Sequence, residues 1–277
     1  MENHHIHDHH HDHHSHSALH GKNLLLVTLL NVVITVAEIV GGLLSNSLAL
    51  LSDAVHNLGD TLALLFAFFA NKMGKKEADM KRTFGYKRVE ILTALLNALI
   101  LISICIFLFK EAYDRFIDPQ PIKGMLMLIV AVIGLLANGF SVLILQNDKD
   151  KNINIRAAYL HLLGDTLSSV AVIIGGVAIW LFNIVWIDPL ITIIVGIYII
   201  YHAWEVLKQA TNILMQSAPN HINLQSIVNE IESLPDVKDI HHIHLWQLNE
   251  EQLHFEAHVN VNDNIDMLKV MELRHKI

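Results

Sequence analysis

The amino-acid sequence predicts an all-α bundle of six transmembrane helices followed by a small α/β domain. Of the 277 residues, 53% are hydrophobic and only 17% are charged, whereas a soluble domain carries about a quarter charged residues. Apolar runs of about twenty residues recur, which is the length of a helix that crosses a bilayer. Beyond about residue 210, shorter apolar patterns between polar residues indicate a soluble domain.

Each predicted transmembrane helix is an apolar run that ends at turn-forming or charged residues. A polar turn at residues 45–47 separates the first two runs, Pro119 interrupts the connection between the third and fourth, and Asp188 begins the sixth. Together the runs predict a transmembrane domain over residues 22–210. They lie near residues 24–44, 48–70, 89–109, 125–145, 157–182 and 188–204.

Basic residues are concentrated in two of the connecting loops. By the positive-inside rule we expect these loops and both chain termini to lie in the cytoplasm. The sequence therefore predicts a multi-pass protein of a cell membrane, plasma or inner. The basic residues of the two loops are Lys72, Lys75, Lys76, Lys81, Arg82, Lys87 and Arg88, and then Lys149, Lys151 and Arg156.

Half of the 20 histidines fall within the first twenty residues. Polar, low-complexity segments of this kind do not form a packed core, so residues 1–21 are predicted to be a disordered cytoplasmic leader. Neutral imidazole suits zinc, copper and nickel, and the leader is therefore a candidate metal buffer. An expression tag is the competing explanation, although Asp8 and Asp12 interrupt the histidines.

Residues 211–277 are predicted to form a cytoplasmic α/β domain. Helical periodicity covers residues 224–234 and 265–277, and alternation predicts strands at 237–248 and 252–261. A helix–strand–strand–helix unit requires a further strand to complete its sheet. We therefore expect this domain to be truncated at its C-terminal end.

One seven-residue motif occurs twice inside the apolar runs. His56–Leu62 reads H-N-L-G-D-T-L, and His161–Leu167 reads H-L-L-G-D-T-L. In a helix, His and Asp four residues apart lie on one face, one turn apart. Two such helices packed together would direct His56, Asp60, His161 and Asp165 to a common point. Two imidazoles and two carboxylates are a ligand set for a divalent metal of the zinc type.

Interhelical hydrogen bonding or a proton relay without metal is the alternative for this motif. An ionisable residue in a membrane span costs about 2.5–3.5 kcal/mol, and polar packing alone would not require the same pair twice. Asp53 lies one turn before His56 and is interpreted as a proton acceptor, an accessory ligand or a polar packing residue. The role of Glu38 in the first run stays open.

The C-terminal histidines form a second candidate group. Strict alternation along the first strand would place His242 and His244 on one face and His241 on the other. Their density on two adjacent strands predicts that some of them bind metal. Strand alternation does not identify which ones pair.

A transporter of divalent metal fits these observations. Metal affinity falls as histidines are protonated, so a site with two histidines could exchange metal for protons. Zinc is the expected substrate, and cadmium and cobalt accept similar ligands. A metal sensor or buffer without transport turnover is the alternative. A metallo-hydrolase is disfavoured because H-E-x-x-H is absent and the four ligands leave no vacant position.

Composition excludes other classes of protein. The net charge of −8 argues against a nucleic-acid partner. Cys105 is the single cysteine, which excludes a cysteine-based zinc cluster. We expect no cofactor, with zinc acting only as transported substrate and as a candidate regulatory ligand.

Several short motifs together carry a family resemblance. They are S-D-A-V-H-N-L-G-D (Ser52–Asp60), F-G-Y-K-R-V-E-I-L (Phe84–Leu92) with Asn97, H-L-L-G-D (His161–Asp165), D-P (Asp188–Pro189), H-H-I-H-L-W (His241–Trp246) and E-A-H-V (Glu256–Val259). With these motifs the chain resembles the zinc-transporting branch of the cation diffusion facilitator family, over essentially its whole length after the leader.

The resemblance implies a homodimer that exchanges divalent cation for proton across a lipid bilayer. It implies a ferredoxin-like, metallochaperone-like fold for the C-terminal domain. It places the transport site on His56, Asp60, His161 and Asp165, and a regulatory cytoplasmic site on His241 and His258. For F-G-Y-K-R it implies a structural or charge-pairing role.

Overall fold

The structure is a computed structural model that describes residues 14–146, 153–219, 222–249, 252–262 and 265–276. Within the helices, the side chains of residues 14–26, 64, 67, 71, 153–158 and 161 are outside the description. Most of the predicted leader, and the side chain of the predicted ligand His161, therefore lie outside the described residues.

In the described part of the chain, six long helices precede a short helix–strand–strand–helix segment. The long helices are α1 (His14–Ser45), α2 (Leu48–Gly74), α3 (Val89–Ile117), α4 (Gly124–Gln146), α5 (Ile153–Phe182) and α6 (Ile187–Leu214). The C-terminal elements are α7 (Leu224–Glu232), β1 (Val237–Gln247), β2 (Leu253–Val261) and α8 (Met267–Lys276).

α1, α3 and α6 extend furthest beyond the apolar runs that predict them. α3 continues past residue 109 because Lys110 pairs with Asp114 at 3.2 Å and Arg115 pairs with Glu111 at 3.3 Å, one helical turn apart. α6 runs to Leu214, beyond the predicted end near residue 204. α1 begins at His14, inside the segment predicted to be disordered, because extending an existing helix adds one hydrogen bond per residue without a new nucleus.

Among the described residues, five helical segments are long and apolar enough to cross a membrane. α2 is not one of the five, and it carries Asp53, Asp60 and Lys72. The five are Val27–Ser45, Val89–Ile117, Gly124–Gln146, Leu162–Phe182 and Ile187–Leu214.

The described chain divides into two compact units. The first contains the residues up to Leu62 together with Ile100–His202, and its core joins Met127 and Ala131 of α4 to Val172 and Ile179 of α5. Gly124 of α4 and Gly176 of α5 allow these two helices to approach closely, as small residues usually do in membranes. The second unit contains Ala63–Leu99 and Ala203–Ile277.

The N-terminus of α2 is capped by a residue from another helix. The carboxylate of Asp188, at the start of α6, accepts hydrogen bonds from the backbone N–H groups of Leu48 at 2.8 Å and Ala49 at 3.1 Å. It also accepts from Ser47 Oγ at 2.5 Å. Arg115 of α3 lies 3.9 Å from the same carboxylate. These contacts fix the first turn of α2 against α6 and α3.

The C-terminal elements occur in the predicted helix–strand–strand–helix order. β1 and β2 form a two-stranded antiparallel sheet, and α7 packs on β1. The side chain of Asn223 caps α7 by accepting from the backbone of Gln225 at 3.0 Å. The register pairs His241 with His258 and His244 with Glu256, which leaves a bulge between His241 and His244.

The contact between α4 and α5 supplies a test of the packing. A Cβ atom at Gly124 would lie 2.9 Å from the backbone nitrogen of Trp180, and at Gly139 no described atom lies within 4 Å. Gly124→Ala should therefore lower the free energy of unfolding by about 1–3 kcal/mol, whereas Gly139→Ala should leave it unchanged or slightly raised. Thermal unfolding of the purified variants measures both. Equal losses in the two variants would contradict this packing.

Candidate metal centres

α2 and α5 bring three ionisable side chains to one point in the first unit. The imidazole Nε2 of His56 lies 2.9 Å from Oδ1 of Asp165. One ligand atom from each of His56, Asp60 and Asp165 lies within 4.8 Å of the others. In a tetrahedral zinc site the ligand atoms are about 3.4 Å apart. Small shifts of these side chains, which would separate the His56–Asp165 pair slightly, would therefore give metal-binding geometry.

Burial separates this cluster from a surface ion pair. The side chain of His56 is 12% exposed and that of Asp165 is 2% exposed. Because a carboxylate accepts and does not donate, the Nε2–H of His56 donates to Asp165. A metal ion bound at Nε2 of His56 would have to replace this proton.

The fourth predicted ligand, His161, lies in α5 four residues before Asp165. This spacing places both residues on one face of the helix. Because its side chain lies outside the described residues, its role as a ligand stays a prediction.

Asp53 is not a member of the three-residue cluster. Its carboxylate oxygens accept hydrogen bonds from two serines of α5, from Ser168 and, at 3.2 Å, from Ser169. The residue is only 2% exposed. These contacts favour the polar packing role among the three alternatives, since they join α2 to α5 one turn before His56.

Two further features of this region were not predicted from the sequence. The ring of Tyr198 in α6 meets the ring of His56 edge-on, with centroids 5.7 Å apart. The ring centroids of Tyr198 and His202 are 4.6 Å apart. The amide of Asn57 donates to the buried carboxylate of Glu38 at 2.7 Å. The four-residue spacing of Tyr198 and His202 is the sequence signal that could have indicated that they share one face of α6.

A second cluster lies on the C-terminal sheet. One nitrogen atom from each of His241, His242 and His258 lies within 4.8 Å of the others. The rings of His241 and His242 are 5.1 Å apart, and those of His242 and His258 are 5.2 Å apart. The predicted pair His241 and His258 is therefore brought together, and His242 joins it.

The prediction that His241 and His242 lie on opposite faces is wrong. Alternation fails because the bulge places two residues of β1 opposite one residue of β2. His242 has a φ of 50°, in the left-handed region, which turns its ring toward His241. Nothing in the spacing of the histidines indicates this bulge.

A carboxylate orients one of these histidines. Nδ1 of His241 donates to Asp239 at 2.7 Å, and the amide of Asn260 donates to both oxygens of Asp239 at 3.1 and 3.0 Å. The hydrogen bonds from Asn260 and then from His241 lower the pKa of Asp239. Asp239 is therefore ionised near neutral pH and leaves Nε2 of His241 available as a ligand, the usual support for a metal-binding histidine.

Comparison with known proteins places both regions in one family. Residues 24–215 match the family described as cation efflux transmembrane domain, and residues 219–277 match the cation efflux protein, cytoplasmic domain.

Three relatives are similar over most of the chain. The zinc transporter ZitB of Pectobacterium atrosepticum is 42% identical over 234 residues, 84% of this chain and 73% of that protein. The metal cation efflux system protein CzcD of Cupriavidus metallidurans is 38% identical over 245 residues, 87% of this chain and 77% of that protein. The cadmium, cobalt and zinc/H(+)-K(+) antiporter of Bacillus subtilis is 36% identical over 266 residues, 95% of this chain and 86% of that protein.

The bulge supplies a test of the sheet cluster. His242→Ala removes one of the three clustered imidazoles, so it should weaken zinc binding by the full-length protein at this cluster by about tenfold or more. His244→Ala is the matched control, because His244 lies outside the cluster, opposite Glu256. Calorimetric zinc titration of both variants, each carrying Asp60→Ala to weaken the other cluster, measures the difference. Equal affinities would show that His242 is not a ligand.

Proposed function

The chain belongs to the cation efflux, or cation diffusion facilitator, family of membrane transporters, and from this premise we propose that it exports zinc from the cytoplasm in exchange for protons. The relatives named above are a zinc transporter, a metal cation efflux system protein and a cadmium, cobalt and zinc antiporter. Cadmium and cobalt are the further substrates proposed here. The protein is thus a secondary transporter and not an enzyme.

The convergence of His56, Asp60 and Asp165 is the observation that carries this proposal. Buried ionisable residues in a membrane are costly and mark ion pathways. We assign His161 as the fourth ligand because it repeats the position of His56 in the duplicated motif. Two imidazoles and two carboxylates then surround the metal, with Asp53 as an accessory residue that holds α2 against α5.

Exchange of metal for protons follows from the chemistry of these ligands. A metal can bind a histidine nitrogen only where no proton is bound. In the described geometry the proton of His56 Nε2 lies between the imidazole and Asp165. Release of metal returns protons to the same side chains. Rocking of the helices around a central site would expose it first to one side of the membrane and then to the other.

A sensor or buffer is the second candidate function. The histidine cluster on the sheet would suit it as well as it suits a regulated transporter. The cluster of His56, Asp60 and Asp165 favours transport, because a sensor has no need of ligands within the membrane helices. Membership of a family of transporters favours the same conclusion.

We propose that α2 is the sixth transmembrane helix. Its 27 residues span about 40 Å, more than the hydrocarbon thickness of about 30 Å. Asp53 is compatible with this position because it is buried against α5, and Asp60 because it lies in the cluster with His56 and Asp165. The proposed topology places both termini in the cytoplasm of a cell, because the basic loops follow α2 and α4.

The proposed domain division is a leader of residues 1–21, a transmembrane domain of 22–210 and a cytoplasmic domain of 211–277. We propose a ferredoxin-like fold and homodimer formation for the last of these, supported by its match to the family's cytoplasmic domain. His241 and His258, with His242, form a regulatory zinc site in this proposal. The histidine-rich leader would raise the local metal concentration.

Substitution of the two carboxylates of the cluster tests the transport site. Asp60→Ala and Asp165→Ala should each lower zinc flux into proteoliposomes about tenfold or more, because each removes a metal ligand. Asp114→Ala is the control, since Asp114 is exposed and pairs only with Lys110 among the described residues. Flux that survives both ligand substitutions would place the metal path elsewhere.

Proton counterflow tests the exchange mechanism. Proteoliposomes that are acidic inside should accumulate zinc, because protons leaving down their gradient are replaced at the ligands by metal. Dissipating the pH gradient with a protonophore should abolish this accumulation. An internal pH dye should report alkalinisation on addition of zinc. Zinc binding without flux or pH change would favour the sensor.

A further inference from the structure

A cavity of about 680 Å³ lies in the second unit, between the loop that joins α2 to α3 and the turn that joins β1 to β2. This volume falls in the range of about 300–1,000 Å³ that is typical of small-ligand sites. The transport chemistry proposed above does not use it. Its lining includes Lys75, Lys76, Thr83, Lys87 and His254.

The charges around the cavity are unbalanced. Three lysines line it, and Glu77 is the only carboxylate among the lining residues. Among the described residues, none of these lysines forms an ion pair. The ammonium group of Lys76 lies 5.7 Å from the centre of the Tyr86 ring. The cavity therefore presents an excess of positive charge.

The other carboxylate of the loop is engaged elsewhere. Asp79 accepts hydrogen bonds from the backbone N–H groups of Lys81 and Arg82, each at 2.7 Å, and lies 3.6 Å from the Arg82 guanidinium. The hydrogen bonds from Arg82 and Lys81 lower the pKa of Asp79. Asp79 is ionised at neutral pH and folds the loop, but it does not line the cavity.

Aromatic contacts form one wall of the cavity. Phe84 of the loop meets His254 of β2 edge-on, with ring centroids 5.1 Å apart. His254 in turn stacks on Trp246 of β1 at 5.3 Å, with an interplanar angle of 16°. The cavity walls are therefore joined by side-chain contacts between the loop and the sheet. Thr83 and Gln252 add neutral hydrogen-bond donors to the lining.

The lysines also lie next to the ends of membrane helices. Lys75 and Lys76 directly follow Gly74, the last residue of α2, and Lys87 lies two residues before Val89, the first of α3. Basic residues in such juxtamembrane positions attract the phosphate of anionic lipids. The chain thus places the cationic groups within reach of phospholipid headgroups.

We propose that this cavity binds a phosphate-bearing anion through Lys75, Lys76 and Lys87. Lysine binds phosphate as a point charge and does not require a fixed bidentate geometry. The anion is either the headgroup of an acidic phospholipid or a soluble phosphate compound, since both present the same group. A bound anion neutralises the lysines and ties the loop between α2 and α3 to the sheet.

The test uses the full-length protein in neutral detergent and in phosphatidylcholine nanodiscs. Inorganic phosphate is the probe, and the fluorescence of Trp246, which stacks on the lining residue His254, is the readout. Trp246→Phe identifies the part of the signal that comes from this residue. We expect a saturable change on addition of phosphate.

Matched charge variants distinguish a site from general attraction. The triple variant Lys75→Gln, Lys76→Gln, Lys87→Gln should bind phosphate with an affinity lower by about tenfold or more. The reason is that each lysine contributes electrostatic binding energy toward an anionic group. The control is Lys81→Gln, Lys238→Gln, Lys269→Gln, which removes the same charge outside the cavity lining. Its affinity should change by less than about twofold. If the first triple variant unfolds, its three single variants replace it.

Two arms identify the source of the phosphate. If phosphatidylglycerol in the nanodiscs abolishes the fluorescence response to phosphate, the site binds lipid headgroups. An unchanged response would assign it to soluble phosphate compounds. Equal loss of affinity in both triple variants would overturn the proposal, and so would the absence of a saturable response to both phosphate and phosphatidylglycerol.

Discussion

The position of α2 depends on one carboxylate that belongs to another helix. Asp188 caps the first turn of α2 while it begins α6, and Arg115 of α3 lies beside it. The first N–H groups of a helix have no partner within the helix, and Asp188 accepts hydrogen bonds from two of them. His56 and Asp60 lie two to three turns along α2 from this cap. The contact that fixes the first turn of α2 therefore also helps to position His56 and Asp60 relative to Asp165.

Three sets of buried polar side chains in the first unit form hydrogen bonds between helices. Glu38 of α1 pairs with Asn57 of α2, Asp53 of α2 pairs with serines of α5, and His56 pairs with Asp165. Each pair satisfies groups that would be expensive to leave unpaired in an apolar medium. Only the last pair brings a nitrogen ligand beside carboxylates. The others hold the helices at the spacing that this cluster requires.

Sequence patterns predicted the elements better than the contacts between them. The predicted span at residues 125–145 agrees closely with α4 because the run contains no charged residue and is apolar except at Asn138 and Ser141. The end of α3 was placed too early, because its last turns depend on ion pairs and not on hydropathy. Helical spacing predicted that His56, Asp60 and Asp165 converge, because His and Asp four residues apart share one face of a helix and the motif occurs on two helices. Asp188 was recognised as a helix start, but its role as the cap of α2 depends on a contact 140 residues away in the chain.

The bulge in β1 has a consequence for how this protein could lose metal binding. The side-chain period of two is interrupted between His241 and His244, as it is earlier between Val237 and Asp239. His242 also adopts a left-handed backbone conformation that non-glycine residues seldom occupy. Deleting one residue between His241 and His244 would restore regular pleating and send neighbouring histidines to opposite faces. The protein would keep every imidazole and lose their convergence. Chain length at this position is therefore as much a determinant of the cluster as the identity of its ligands.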